Sequence, residues 1–201
     1  MRSASTCIWL SLLALSSLGC GKSGAGGPSA EAAHATGSAS PAVSATPAAV
    51  QKAASQLAAG DPAPNVTFTM QDGRSISLAS LAGKEVAVYF YPKDETSGCT
   101  VQAQGIRDSW PALQQAGVVV IGVSTQDAAS HKAFIAKEKL PFDLAVDADE
   151  AVAKAFGVPV RAGFASRQTF LVGKDGRLKK VWREVKPQDH AAEILAASKS
   201  T

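Results

Sequence analysis

Cys99 is the residue of this chain whose surroundings most clearly indicate chemistry. It follows an apolar, aromatic and β-branched run at residues 86–91, which is typical of a buried strand, and Pro92 ends that run because proline has no N–H to donate. A helix is predicted to begin near Cys99, with Thr96 or Ser97 available as its cap. Free N–H groups and the positive end of the helix dipole favour the thiolate, which is the nucleophilic form of cysteine. The alternative is a buried cysteine that acts as a small apolar residue.

The residues around this cysteine form the pattern Pro92-x-x-x-Thr96-x-x-Cys99. The pattern resembles the active-site motif of peroxiredoxins, the thiol peroxidases of the thioredoxin superfamily. The longer stretch 89–100 is most similar to the bacterioferritin-comigratory, or Q-type, branch, although Ser97 stands where that branch usually has proline. The resemblance extends from about residue 60 to about residue 197. It implies an α/β, thioredoxin-like (peroxiredoxin) fold in which helices flank a central mixed β-sheet.

The resemblance also implies a set of catalytic residues. Cys99 is the expected nucleophile, since reduction of a peroxide by a thiolate needs a deprotonated sulfur and donors for the leaving oxygen. Thr96 is expected to place its hydroxyl beside the sulfur, or to act only as a helix cap. Pro92 is expected to form an apolar wall, or only to end the strand. Arg167 matches the family's active-site arginine and is expected to stabilise the thiolate, although an arginine before a strand is usually a solvated surface group.

Three features of the chain depart from the Q-type pattern. Gln104 stands where many members carry a resolving cysteine, Gln102 stands where glutamate is frequent, and the stretch 157–166 is short. Without a second cysteine near Cys99, the sulfenic acid that a peroxide leaves must be reduced by a thiol from another molecule. We therefore predict a one-cysteine mechanism that reduces hydrogen peroxide and organic hydroperoxides. The external thiol is expected to come from a thioredoxin-like protein, a small thiol or Cys99 of a second copy. The other two departures bear on substrate preference and partner contacts.

The N-terminus predicts export. Arg2 precedes a short apolar run at residues 8–18, which is typical of a secretory signal peptide and too short to span a bilayer. The run ends at Leu18-Gly19-Cys20, which resembles the bacterial lipobox with its lipidated cysteine; the alternative is an ordinary signal peptide with a chance cysteine. We predict a signal peptide at residues 1–19, a lipidated Cys20 with a flexible linker at residues 20–59, and a peroxiredoxin domain at residues 60–201.

A lipidated Cys20 attaches the protein to the cell envelope by its acyl chains. Gly21 is not the aspartate that is associated with inner-membrane retention in enteric bacteria, so we expect an outer-membrane anchor with the domain on the periplasmic side. Cys7 leaves with the signal peptide. Cys99 is then the one free thiol expected in the mature chain.

Strands and helices alternate through the rest of the sequence, which indicates a layered α/β domain. Asp-Gly pairs at 72–73 and 175–176 predict turns. Predicted strands cover residues 66–70, 75–78, 86–91, 118–123, 142–146, 168–172 and 178–184. Predicted helices begin at residue 99 and then cover residues 109–116, 127–140, 150–156 and 187–197.

Composition and charge argue against several other classes of function. The net charge of the 201-residue chain is +3, and no basic cluster indicates nucleic-acid binding. The three cysteines fit neither a metal site nor a C-x-x-C pair, so we expect no metal and no cofactor. The same spacing argues against a thioredoxin-like thiol–disulfide oxidoreductase and against a copper-delivering or other binding lipoprotein on this fold. A non-catalytic module stays an alternative, since fold does not fix function. The protein is expected to act as a monomer or a homodimer.

Overall fold

The computed structural model describes residues 57–200. The predicted signal peptide, Cys7, Cys20 and the predicted linker as far as residue 56 lie outside the described residues. Across residues 57–200, none of the helices combines the length and the apolar character needed to cross a membrane.

Seven strands of the described region form one mixed sheet, and two further strands pair as a separate small hairpin. The strand order in the large sheet is β2-β1-β5-β4-β3-β8-β9. The strands are β1 (Thr67–Met70), β2 (Ser75–Ser77), β3 (Glu85–Phe90), β4 (Val118–Ser124), β5 (Asp143–Val146), β6 (Val160–Arg161), β7 (Phe164–Ala165), β8 (Gln168–Val172) and β9 (Leu178–Trp182). The helices are α1 (Ser97–Asp108), α2 (Trp110–Gln115), α3 (Ala128–Glu138), α4 (Ala151–Phe156) and α5 (His190–Lys199).

Strand β3 is the centre of the sheet. It pairs in parallel with β4 on one side and antiparallel with β8 on the other, and all six of its residues are buried. A strand that is covered on both faces is mostly apolar, which explains the apolar run from Val86 to Phe90. Glu85, at the start of the strand, pairs with Lys179 at 2.7 Å. Parallel pairs β3–β4 and β4–β5 require crossover connections, which α1, α2 and α3 supply.

Each face of the sheet carries its own hydrophobic core, because successive side chains of a strand point to opposite faces. Strand β3 sends Val86, Val88 and Phe90 to one core and Ala87 and Tyr89 to the other. The first core also contains Phe68, Met70, Ile121, Val123, Phe156 and Phe170. The second also contains Cys99, Ala103, Ile106, Leu113, Phe134, Leu144, Leu171, Trp182 and Ile194. Cys99 is therefore part of the second core.

The structure confirms the predicted thioredoxin-like fold, its mixed sheet and the order of its predicted elements. Helix α3 begins after Asp127, whose carboxylate accepts a hydrogen bond from the Ser130 amide at 2.8 Å. Helix α4 is followed by Gly157 at φ +64°, a left-handed conformation that glycine adopts easily at a helix end.

Several local details differ from the sequence prediction. A 3₁₀ turn, Leu78–Leu81, follows β2 directly, so that strand is shorter than predicted. Helix α5 begins at His190, and Pro187 lies in the turn before it. Ser109 precedes α2 but its side chain makes no capping hydrogen bond.

The short stretch 157–166, which was not predicted to have regular structure, contains the hairpin β6–β7. Its two loop residues, Ala162 and Gly163, have φ values of +51° and +77°. Positive φ at both central residues is the requirement of a type I′ hairpin turn. Strands of two residues are too short to produce a period in the sequence, so pattern analysis misses them.

Candidate active site

Cys99 lies where the central strand gives way to a helix. The backbone continues past β3 for one more pairing, from the Tyr91 amide to the Val123 carbonyl at 3.2 Å, and then forms a loop. Helix α1 starts at Ser97, which makes Cys99 its third residue. The first turn of α1 contains no acidic residue, so the positive end of the helix dipole is not offset there. The Cys99 side chain is only 2% exposed, so the sulfur is close to the positive end of the α1 dipole and is shielded from water.

Arg167 completes the surroundings of the sulfur. Its Nη2 donates to Cys99 Sγ at 3.1 Å, and its Nη1 donates to Gln102 Oε1. The pairing of β3 with β8 explains why Arg167 meets Cys99, because Phe90 at the end of β3 lies opposite Gln168 at the start of β8. The residue before β8 thus arrives beside the loop that leads into α1. The guanidinium is half-buried and, within residues 57–200, makes no ion pair with a carboxylate.

Gly98 lies next to this guanidinium. A Cβ built at Gly98 would lie 3.4 Å from Arg167 Nη2 and 3.8 Å from Pro187 Cγ. A Cβ at residue 98 would therefore be in ordinary van der Waals contact with the arginine at the point where it reaches the sulfur. The turn before α5, which contains Pro187, covers the same side of the site.

The Thr96 hydroxyl binds the backbone of its own loop in the described structure, and its expected place beside the sulfur stays a prediction. Thr96 is the N-cap residue of α1, but its side chain makes no capping bond. Its Oγ1 instead donates to the Lys93 carbonyl at 3.1 Å, and the residue is exposed. The hydroxyl thus closes the loop on itself, because threonine oxygens readily bond to backbone groups two or three residues away. Pro92 is half-buried and follows the last paired residue of the strand.

A buried hydrogen-bond network that was not predicted holds the loop before α1. The Asp94 carboxylate accepts from Tyr91 Oη at 2.7 Å and Ser130 Oγ at 2.6 Å, and lies 2.8 Å from His131 Nδ1. The side chains of Asp94 and His131 are 1% and 0% exposed. Burial acts to raise the pKa of Asp94, but the bonds from His131 and Ser130 outweigh it and lower the pKa. The active-site loop is thereby fixed to helix α3.

Tyr89 contributes a second buried hydroxyl beneath the site. It is 1% exposed, its ring stacks on Tyr91 with centroids 5.4 Å apart, and its Oη has no hydrogen-bond partner in the described structure. Burial raises the pKa of Tyr89 well above its usual value, and the nearby Cys99 and Asp94 raise it further while Arg167 lowers it. The phenol therefore stays protonated at neutral pH and is available only as a neutral donor or acceptor.

Gln104 stands where many Q-type members carry a resolving cysteine, and in this chain it makes a structural contact. Its Nε2 donates to Glu138 Oε2 at 2.8 Å, at the end of α3. Arg107, one turn further along α1, donates to the Glu138 carbonyl at 2.8 Å and pairs with Asp108. These bonds join α1 to α3 on the side away from Arg167. Cys99 is the only cysteine within residues 57–200.

The described residues present no obvious place for a metal ion. Within residues 57–200, no group of three or more histidine, cysteine, aspartate or glutamate side chains is arranged to hold one. The chemistry that this site can supply is that of a cysteine sulfur held between a helix N-terminus and a guanidinium, which is the setting of an activated nucleophile.

The chain resembles known proteins in sequence and in structure. The sequence model of the AhpC/TSA family matches residues 59–181. The chain is 44% identical over 143 residues to the chloroplastic peroxiredoxin Q of Oryza sativa subsp. japonica, a match that covers 70% of this chain and 66% of the rice protein. The chain thus spans about two thirds of the length of that relative.

Two solved structures extend the comparison. The bacterioferritin comigratory protein of Xanthomonas campestris is 35% identical, with a TM-score of 0.63, and the match covers 67% of this chain and 90% of that one. Peroxidoxin BcpB of Mycobacterium tuberculosis is 27% identical, with a TM-score of 0.67, and the match covers 72% and 97%.

Proposed function

The chain belongs to the AhpC/TSA family and is of the peroxiredoxin Q type, and from this premise we propose that it is a thiol-dependent peroxidase. Its substrates are hydrogen peroxide and organic hydroperoxides, and its nucleophile is Cys99. The observation that carries the proposal is the 3.1 Å contact between Arg167 Nη2 and Cys99 Sγ at the start of a helix. The Xanthomonas campestris relative is described as having alkyl peroxide reduction activity, which supports the choice of substrate class.

The proposed reaction is a displacement at oxygen. The Cys99 thiolate attacks the terminal oxygen of R–O–OH, so that an S–O bond forms, the O–O bond breaks and RO⁻ leaves and takes up a proton. The sulfur is oxidised to sulfenic acid and the peroxide is reduced to an alcohol, or to water when the substrate is hydrogen peroxide. Arg167 stabilises the thiolate and supplies donors to the reacting oxygens, since guanidinium keeps its charge throughout.

We further propose that the cycle uses one cysteine of this chain and a thiol from another molecule. Gln104 replaces the nearby cysteine that an internal disulfide would need, and its bond to Glu138 is structural. An external thiol condenses with the sulfenic acid to give a mixed disulfide and water, and a second thiol then releases Cys99 and leaves as a disulfide. A thioredoxin-like protein or a small thiol has the required chemistry.

The stoichiometry of the reaction tests this mechanism. Without reductant, the purified mature protein is expected to consume about one equivalent of peroxide and then stop, because its sulfenic acid has no internal partner. Mass spectrometry after one equivalent should show a sulfenic acid at Cys99, which a sulfenic-acid trapping reagent captures.

A dithiol added to the same sample should restore turnover, which provides the control for irreversible damage. A protein monomer about two mass units lighter after peroxide would indicate an internal disulfide and would contradict the one-cysteine cycle. Failure to consume any peroxide would contradict the proposed peroxidase function as a whole.

We also propose that the protein is lipid-anchored at Cys20, on the periplasmic side of the outer membrane. The support is in the sequence: the apolar run at residues 8–18 and the lipobox-like Leu18-Gly19-Cys20. Two acyl chains on one cysteine provide stable membrane attachment without any spanning helix.

Cys20→Ala is expected to abolish membrane attachment, because the acyl chains hold the protein to the bilayer. Fractionation of cells that express each form should find the wild type with the membranes, and the variant unprocessed or in the soluble fraction. An unmodified Cys20 in the mature wild-type protein, detected by mass spectrometry, would show that the anchor is wrong.

A further inference from the structure

Gln102 lies near the Cys99 sulfur, and the nitrogen of its side-chain amide makes no hydrogen bond in the described structure. It follows Cys99 by three residues on α1, so the two side chains share one face of the helix, and its side chain is among the most buried of the polar residues at 1% exposed. Its Oε1 accepts from Arg167, whereas its Nε2 has no hydrogen-bond partner in the described structure. An unpartnered donor that is shielded from water is costly and calls for an explanation.

Arg167 determines which end of the amide is free. A guanidinium has only donors, so the oxygen of Gln102 must face it and the nitrogen must point elsewhere. The two terminal nitrogens of the same planar group contact Gln102 Oε1 and Cys99 Sγ. The amide oxygen and the sulfur are therefore held side by side against one rigid fork, and the free amide nitrogen is bonded to the same carbon as that oxygen.

Gln104, the other glutamine of α1, differs from Gln102 because its amide nitrogen has a hydrogen-bond partner. It is on the same helix, and its Nε2 is satisfied by the Glu138 carboxylate at 2.8 Å.

The Gln102 side chain carries no charge, and this affects Arg167. A neutral amide binds Arg167 without cancelling its charge, which leaves that charge to act on the Cys99 sulfur.

We propose that Gln102 is a further catalytic residue, whose Nε2 donates a hydrogen bond to the oxygen that passes from the peroxide to Cys99. This inference rests on the proposed peroxidase function. In the step concerned, the sulfur electrons form the S–O bond, the O–O bond breaks and RO⁻ leaves with a proton from solvent. Gln102 loses no proton; its N–H polarises the transferred oxygen during attack and remains bound to that oxygen in the sulfenic acid.

The experiment compares two reactions of the same sulfur. The rate of peroxide reduction and the rate of alkylation by iodoacetamide are measured at one pH, for the wild type, Gln102→Met and Gln102→Glu. Alkylation transfers no oxygen to the sulfur, so it reports on the thiolate alone. The ratio of the two rates therefore isolates the bond to the transferred oxygen.

In Gln102→Met, the ratio of peroxide rate to alkylation rate is expected to fall about tenfold, the usual effect of one lost hydrogen bond. Gln102→Glu has nearly the same shape and keeps an acceptor for Arg167, but it replaces the donor by an oxygen, so its ratio should fall as well. Gln102→Glu keeps the inference testable if Gln102→Met does not fold. Gln104→Met is the matched control and should leave the ratio unchanged.

Each outcome bears on a different claim. If the wild type consumes peroxide and the ratio is unchanged in both variants of Gln102, the inference is overturned and the proposed function stands. If both rates fall together in those variants, Gln102 acts only by holding Arg167, and the donor role is again overturned. If the wild type is alkylated but consumes no peroxide, the proposed function itself is wrong, and this inference falls with it.

Discussion

Cys99→Ser is expected to abolish peroxide consumption. The hydroxyl of serine is not ionised at neutral pH, and it is a far weaker nucleophile than a thiolate. No other cysteine lies within residues 57–200 to take over the reaction. The rate of peroxide loss, followed with and without an added dithiol, should fall to that of the uncatalysed reaction.

The control for this variant is a second cysteine substitution. Cys20→Ala also removes a sulfur, but it lies outside the described residues and outside the proposed site, so its peroxide rate per mole of protein should match the wild type. Thermal unfolding should confirm that Cys99→Ser is folded, since serine is close to cysteine in size. Residual peroxide consumption by a folded Cys99→Ser variant would show that the nucleophile has been assigned to the wrong residue.

Arg167→Ala is expected to slow peroxide reduction by on the order of 10²-fold or more, the usual cost of removing one preorganised donor from an active site. It removes the 3.1 Å contact to the sulfur and the bond to Gln102 together. Alkylation of Cys99 at a fixed pH should slow as well, because the thiolate loses its cation. Arg167→Lys should recover only part of the rate, since one ammonium cannot span both partners as the planar fork does.

Arg107→Ala is the matched control, because Arg107 is on the active-site helix but contacts Asp108 and the Glu138 carbonyl. Its rates of alkylation and peroxide reduction should stay close to those of the wild type. If the alkylation rate of Arg167→Ala equals that of the wild type across pH, the charge of Arg167 does not act on the sulfur.

The sequence could predict the parts of the fold that carry strong periodic signals. The apolar runs at 86–91 and 118–123 correspond to β3 and β4, because strands covered on both faces are mostly apolar. In β8 only Phe170, Leu171 and Val172 carry that signal, since the buried Gln168 and Thr169 are polar. The hairpin β6–β7 has strands too short for any sequence period. Proline is favoured in the first turn of a helix, so the sequence predicts the start of α5 at Pro187, whereas the helix begins at His190.

The candidate site was predictable to different degrees for different residues. The positions of Cys99 and Arg167 follow from a motif and a resemblance, and the structure places the two side chains in contact. The network of Asp94 and His131 joins residues 37 positions apart, so it depends on how α3 packs against the loop. His131 lies three residues before the inward Phe134, which could have suggested that it is buried, but nothing in the pattern identifies its partner.

The Thr96 hydroxyl can donate to the Lys93 carbonyl of the loop or accept from a backbone amide in the first turn of α1. The residue type alone does not decide which of these bonds forms. The orientation of the Gln102 amide likewise depends on Arg167, which is 65 positions away.

The 68 positions between Cys99 and Arg167 have a consequence for the life of the chain before it is complete. Synthesis runs from the N-terminus, so the segment with the cysteine emerges well before β8, and β3 lacks one of its two neighbours until β8 arrives. Until then the sulfur is an ordinary thiol without a guanidinium beside it. A nascent chain is accordingly no more sensitive to oxidants than any protein with a free cysteine, and peroxide reactivity arises with the final steps of folding.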